Sequence, residues 1–342
     1  MKETNSSTKV RWGILGTGKV ADQFCGELKK VPGVEIRRVW SRTVANAAAL
    51  ARRHLIPHAT KNLEEFLGSG DLDLVYICTP TALHEDHAIA CLEAGFGVLC
   101  EKPLTTSVES ANRIFNKAKA KNLFCMEGMW MRFNPLVQKT KNLIQSGAIG
   151  ELISVRAELG YDKKYSAPRT RDNSALWNYG LYIFTFFDLI AGAGPERFFV
   201  IGNGSEGCPS TRVAGVLNLS NTHCTFSITD EAELKNDALF QGKNGWLRLH
   251  APFFCSQRLE ASRPIFPGNK YADRINRIVQ RNIGKDIFDS PFIQTTHMEA
   301  GFYYEALAAT ITFKNREIEC REASWGDTLR VIDLVEKVEA VI

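Results

Sequence analysis

The amino-acid sequence predicts an α/β fold: a doubly wound parallel sheet first, then an α+β segment with an antiparallel sheet. Three observations carry this expectation. From residue 10 to about 125, short apolar runs alternate with amphipathic stretches, as strands and helices do when they follow one another in turn. The first apolar run ends in a glycine turn, Gly16-Thr17-Gly18. Beyond Gly150 the rhythm changes to alternating strands interrupted by one long apolar helix.

In the first part, strands are expected at 11–15, 35–40, 74–78, 97–100 and 123–126, with helices near 18–30, 44–54, 82–94 and 106–121. The apolar runs are short and lack alternation, which suits strands buried on both faces. A helix at 134–146 carries Leu136, Val137, Leu143 and Ile144 and stops at Gly147. Strands at 153–159, 213–219 and 223–229 follow, with a helix at 172–190 among them. A final helix at 324–339, with Leu329, Ile332, Leu334 and Val335 apolar, is expected to pack back on one of the domains.

At 342 residues, 44% hydrophobic and 23% charged, the chain has enough apolar material for two cores. Its +4 charge comes from 42 basic and 38 acidic residues without a long basic block, so no nucleic-acid partner is expected. Nine cysteines form no CxxC pair, and several sit in apolar runs such as Val75-Tyr76-Ile77-Cys78. They read as reduced, buried, small hydrophobes rather than a disulfide frame or a metal site. Residues 1–9 are polar, with no signal-peptide core, and no run of 18 apolar residues provides a membrane span, so a cytoplasmic location is expected.

The glycine turn has the residue types that a dinucleotide pyrophosphate requires. Gly16 permits the tight turn, Gly18 lets the backbone approach the phosphates, and Ala21 lets the helix lie close on the strand. Thr17, Lys19 and Val20 complete the loop and the helix start, whose N–H groups would meet the phosphates. Ser41-Arg42 follows the second strand, where an acid would favour NAD(H); a hydroxyl and a guanidinium suit a 2′-phosphate, so NADP(H) is the expected cofactor. Thr79-Pro80, with His84, should line the same crevice. Glu101-Lys102-Pro103 closes another strand and places Lys102 where cofactor and substrate meet; Pro103 keeps Lys102 extended and permits a cis bond.

On the long apolar helix, Asn178, Tyr182 and Thr185 fall at spacings of four and three and form one polar stripe. Such a stripe faces either a wet cleft or hydrogen-bonding partners inside the core. Gly180 permits close approach of another backbone or of a nicotinamide ring.

Together these residues resemble the glucose-fructose oxidoreductase, inositol dehydrogenase and rhizopine catabolism family. The resemblance rests on Gly13-Ile14-Leu15-Gly16-Thr17-Gly18-Lys19-Val20-Ala21, Tyr76-Ile77-Cys78-Thr79-Pro80, His84-Glu85-Asp86-His87-Ala88, Glu101-Lys102-Pro103 and Gly147-Ala148-Ile149-Gly150-Glu151-Leu152. Met126-Glu127-Gly128-Met129-Trp130-Met131-Arg132-Phe133-Asn134-Pro135 looks most like the dimeric dihydrodiol dehydrogenase branch.

The resemblance implies a Rossmann domain over 10–128, after a flexible stretch at 1–9, and a substrate and oligomerisation domain over 129–342. The second domain's large open sheet would form a homodimer or homotetramer. The resemblance also implies a catalytic set of Lys102, Asn178 and Tyr182, in which Asn178 departs from the family's usual acid. Glu101, Trp130 and Arg132 join the cofactor site, with Trp130 as an apolar wall and Arg132 near the carboxamide or a substrate oxygen. Tyr161 and Trp177 close the pocket from the second domain. The segment from His297 to Glu305 resembles the family helix that returns to the interdomain region, without catalytic work.

The expected reaction is hydride transfer between NADP(H) and a secondary alcohol or ketone of a sugar, polyol or cyclic trans-diol. Tyr182 serves as acid and base, and Lys102 lowers its pKa. The alternative is a non-catalytic NADP-binding sensor, which Asn178 keeps open because an amide carries no proton.

Overall fold

In the computed structural model, the described residues are 9–163, 169–192, 194–204, 209–262, 292–295 and 301–342. Residues 1–8 of the expected flexible N-terminus, Cys208, and residues 297–300 of the 297–305 segment lie outside them. The chain divides into two compact units, Met1–Trp130 with Glu299–Ile332, and Met131–Met298 with Asp333–Ile342.

The first unit is a six-stranded parallel sheet. In chain order its elements are β1 (Val10–Leu15), α1 (Lys19–Leu28), β2 (Val34–Trp40), α2 (Val44–His54), β3 (His58–Thr60), α3 (Leu63–Leu67), β4 (Leu74–Ile77), α4 (His84–Glu93), β5 (Gly97–Glu101), α5 (Val108–Lys121) and β6 (Cys125–Gly128). The strands lie in the order β3-β2-β1-β4-β5-β6. The order reverses between β1 and β4, and such a switch point opens a crevice at the carboxyl ends of the strands. α1 packs through Ala21, Phe24, Cys25 and Leu28, one face at helical spacing. Phe24 stacks on Tyr76 of β4 with ring centroids 3.6 Å apart. Sequence periodicity missed β3 and α3, whose three and five residues are too short to show a period.

The second unit opens with α6 (Pro135–Gln145), whose N-cap Asn134 accepts from the N–H groups of Leu136 and Val137. Then come β7 (Leu152–Gly160), α7 (Leu181–Ala191), β8 (Arg197–Gly202), β9 (Arg212–Leu219), β10 (Thr222–Thr229), β11 (Ala238–Gly242), β12 (Gly245–Leu249), β13 (Arg258–Ala261) and β14 (Phe292–Thr295). They form one sheet in the order β14-β13-β12-β11-β7-β10-β9-β8, antiparallel except for the parallel pair β10 and β7. This is the expected α+β domain with a large, mostly antiparallel open sheet. α7 covers one face, setting Phe184 edge-on to Phe226 and Phe186 against Phe240 and Phe253.

The chain then adds α8 (Gly301–Lys314) to the first unit and ends in α9 (Trp325–Glu339). Within the first unit, Trp325 stacks on Phe115 and its indole donates to the Cys125 carbonyl at 2.8 Å. Among the described residues no helix is long and apolar enough to cross a membrane.

The helix expected at 172–190 is not one regular helix. A 3₁₀ turn at Arg171–Asn173 and a π turn at Leu176–Gly180 precede α7. At Gly180 a side chain would begin 3.0 Å from Leu176 Cδ1 and 3.2 Å from Ile228 Cδ1, so the glycine serves close packing on β10.

Candidate active site

At the carboxyl ends of β1, β2 and β4 lies a crevice of about 560 Å³. The strands converge tightly here. Gly16 has φ +126°, and a Cβ on it would sit 2.7 Å from the Cys78 carbonyl oxygen, so only glycine fits. Gly18 differs: a Cβ there would meet nothing within 4 Å, because it faces open space. α1 starts at this point with no side-chain cap, leaving its first N–H groups to serve an anion. Open space at Gly18 and an uncapped helix start fit a dinucleotide pyrophosphate.

Ser41, Arg42, Thr43 and Asn46 form the far wall. The Thr17 hydroxyl donates to Ser41 Oγ at 3.0 Å, tying the glycine turn to the β2 exit. α2 also lacks a side-chain cap, so a second helix N-terminus opens on the same crevice. Thr79 and Pro80 line it from β4. Of the expected residues the crevice thus gathers Gly16, Thr17, Gly18, Ser41, Arg42, Thr79 and Pro80. It adds Trp40, Thr43, Asn46, Cys78 and Leu83. Thr43 and Asn46 were legible as a polar helix start after Arg42; Trp40, Cys78 and Leu83 read as core.

Lys19 and Val20 begin α1 with exposed side chains and are not among the lining residues. His84 does not line the crevice either. Its side chain is buried, with Nε2 bonded to the Thr79 carbonyl at 2.8 Å and Nδ1 to the Pro103 carbonyl at 2.9 Å, so it ties the loop after β4 to the loop after β5. Lys102 is half-buried at the end of β5, and its bond to Pro103 is cis. The Glu101 carboxylate turns inward instead of towards the crevice, because Tyr76 Oη and the Lys102 N–H donate to it. Trp130 lies flat on the start of α8, where a Cβ on Gly301 would fall 1.9 Å from its ring.

In the second unit, Tyr182 is the second residue of α7, in the first turn after the π turn, with its ring 4.8 Å from that of Phe254 and the two planes 27° apart. Asn178 lies within the π turn and is half-buried. Thr185, the third residue of the expected stripe, is 1% exposed. Tyr161 packs 6.0 Å from Tyr179, over which Lys163 also lies. Burial raises the Tyr161 pKa and lowers that of Lys163. Phe254, Tyr179 and Lys163 were missed, since nothing local in the sequence marks them.

Two further expected site residues are engaged within the second unit. Arg132 is 2% exposed and donates to Asp188 Oδ2 at 3.2 Å, a buried ion pair between a 3₁₀ turn and α7. Trp177 is fully buried, its indole donates to Glu339 Oε1 at 3.0 Å, and the Arg171 guanidinium covers its ring.

A family model described as an oxidoreductase family with an NAD-binding Rossmann fold matches residues 10–129. The trans-1,2-dihydrobenzene-1,2-diol dehydrogenase of Macaca fuscata fuscata is 30% identical over 258 residues, covering 73% of this chain and 77% of that one. Two solved structures share the fold. One is a 3-ketoreductase from Actinomadura kijaniata in complex with NADP and TDP-benzene, with TM-score 0.80 and 22% identity over 97% of each chain. The other is levoglucosan dehydrogenase in complex with NADH and levoglucosan, with TM-score 0.80 and 18% identity over 97% of each chain. Fold and crevice together define an NAD(P)-binding oxidoreductase. The chain belongs to the glucose-fructose oxidoreductase, inositol dehydrogenase and rhizopine catabolism family, in its dihydrodiol dehydrogenase-like branch. Among the described residues no cluster of histidine, cysteine or acidic side chains could hold a metal ion.

The two glycines should separate on substitution. Gly16→Ala should lower the thermal midpoint, since strained φ and backbone overlap together cost about 1–3 kcal/mol. Gly18→Val should melt within a degree or two of wild type yet lose dinucleotide binding in a fluorescence titration; retained binding would remove Gly18 from the cofactor site.

Proposed function

We propose that this oxidoreductase uses NADP(H) in preference to NAD(H) and interconverts a secondary alcohol and a ketone on a sugar, polyol or cyclic trans-diol. When bound, the nicotinamide supplies hydride chemistry at C4. The cofactor preference rests on one observation: Arg42, Ser41 and the uncapped α2 start share one wall of the crevice. A guanidinium, a hydroxyl and free helix N–H groups suit a 2′-phosphate, and no acid stands among the described lining residues to favour a bare ribose. The diol relative supports the substrate class.

Tyr182 acts as general acid in reduction and, as phenolate, as base in oxidation. A phenol ordinarily titrates near pH 10, and the Lys102 ammonium favours the phenolate. Asn178 orients the substrate hydroxyl without carrying a proton. These three roles come from the family pattern. The place of Tyr182 in the first helical turn after a π turn supports them, because such turns recur at functional sites.

We further propose a homodimer or homotetramer formed through the second-unit sheet. Phe199 and Ile201 of β8 are 72% and 62% exposed, and Val216, opposite Phe199 on β9, is 41% exposed. A second copy would bury this row. The eight described cysteines are all free, which supports a cytoplasmic location.

Arg42→Ala should raise the Kd for NADPH about tenfold or more while leaving that for NADH within about twofold, given one lost charge-assisted bond. An equal loss for both cofactors would remove the NADP(H) preference. Tyr182→Phe should lower kcat on a diol or sugar by about 10²–10⁴ with NADPH affinity intact; unchanged turnover would eliminate Tyr182 as the acid. Phe199→Glu should convert the assembly to monomers in sedimentation velocity, and an unchanged sedimentation coefficient would place the interface elsewhere.

A further inference from the structure

Three glutamates of the first unit are buried together: Glu101 at the end of β5, Glu127 on β6 and Glu305 on α8, which are 9%, 3% and 0% exposed. Two of them are supplied with donors. Glu101 accepts from Tyr76 Oη and, at 3.1 Å, from the Lys102 N–H. Glu127 accepts from the Leu104 N–H at 3.0 Å and from Thr328 Oγ1 at 3.2 Å. Pro103, between those two amides, has no N–H. The two carboxylates therefore grip the main chain on either side of the Lys102–Pro103 bond.

Glu305 is different. Neither of its oxygens has a hydrogen-bond partner among the described residues, and Oε1 lies 3.4 Å from where a Cβ on Gly128 would stand, over the ends of β5 and β6. Among the described residues, the titratable groups facing the cluster include Tyr76 on β4, Cys78 just after it, Cys100 on β5 and the Lys102 ammonium. A carboxylate without donors, deep in the protein and beside two other carboxyl groups, has the least of the three to gain from ionising.

We propose that Glu305 is held as a neutral carboxylic acid, the proton-bearing member of a buried cluster whose other two members, Glu101 and Glu127, are positioning residues for the Lys102 turn. Burial and the two neighbouring glutamates push the Glu305 pKa well above the usual range. Burial pushes Glu101 up to about 7, against the lowering effect of Tyr76 and Lys102. An unfolded glutamate titrates at about 4.3. The stability tied to Glu305 is therefore full below about pH 4.3 and declines as pH rises towards its folded value, by up to about tenfold in the folding constant per pH unit. Glu101 contributes in the same direction up to about 7.

The test uses the full-length protein, needs no substrate, and so stands apart from the proposed reaction. Infrared spectra at pH 7 should show a protonated-carboxyl C=O band that Glu305→Gln weakens, the remainder belonging to Glu101, whose pKa is about 7. Denaturant titrations from pH 5 to 9 should show the wild-type folding constant falling with pH and the variant falling less steeply, by up to about tenfold per unit. Glu305→Met, which also removes the proton, provides the same comparison if the amide variant does not fold. A band that Glu305→Gln leaves unchanged, or superimposable pH slopes, would overturn the proposal. So would wild-type stability that rises with potassium concentration and loses that dependence in Glu305→Gln, since a bound cation would then balance an ionised Glu305.

Discussion

The first unit depends on how closely β1 and β4 leave the sheet together. Where Gly16 passes the Cys78 carbonyl there is no room for a side chain, so the β1 backbone must turn sharply and deliver α1 with its N-terminus over the switch point. Had the strands separated more gently, Thr17 could not reach Ser41, and the glycine turn and the Arg42 loop would not face one crevice. The anion-binding character follows from this backbone constraint, because it is the uncapped helix starts that carry the partial positive charge.

The second unit meets a different demand with an apolar helix. α7 lies on the sheet through phenylalanines, a non-directional attraction that fixes the helix on its face but leaves its rotation to detail. The π turn and Gly180 supply that detail. The wider turn shifts the register between Asn178 and Tyr182, and the missing Cβ lets the helix press on Ile228 of β10. The buried Arg132–Asp188 pair adds direction to the same helix. Polar groups inside this unit thus orient an element that hydrophobic burial alone would leave free to rotate.

Burial of ionisable groups runs through both units at some cost in stability. Arg132, Glu101, Glu127 and Glu305 all lie within the core. Apolar replacements of similar volume are often as stable or more so, so these residues are better explained by the geometry they impose than by the energy they contribute. At the Lys102 turn that geometry is a main-chain grip on two amides flanking a proline.

The sequence alone determined what is local. Strand lengths, the glycine turn, the Ser41-Arg42 pair and the proline after Lys102 each express a backbone requirement within a few residues, and the parallel fold and most of the crevice followed from them. Only the tertiary structure decided what is distant in the chain. Arg132 finds Asp188, Trp177 finds Glu339, and Glu305 arrives beside Glu101 and Glu127 from far along the chain. No periodicity encodes such pairings, because a side chain's commitment depends on what the completed fold places within about 3 Å of its polar atoms. For the same reason the partners of Arg132 and Trp177 were not legible in the sequence.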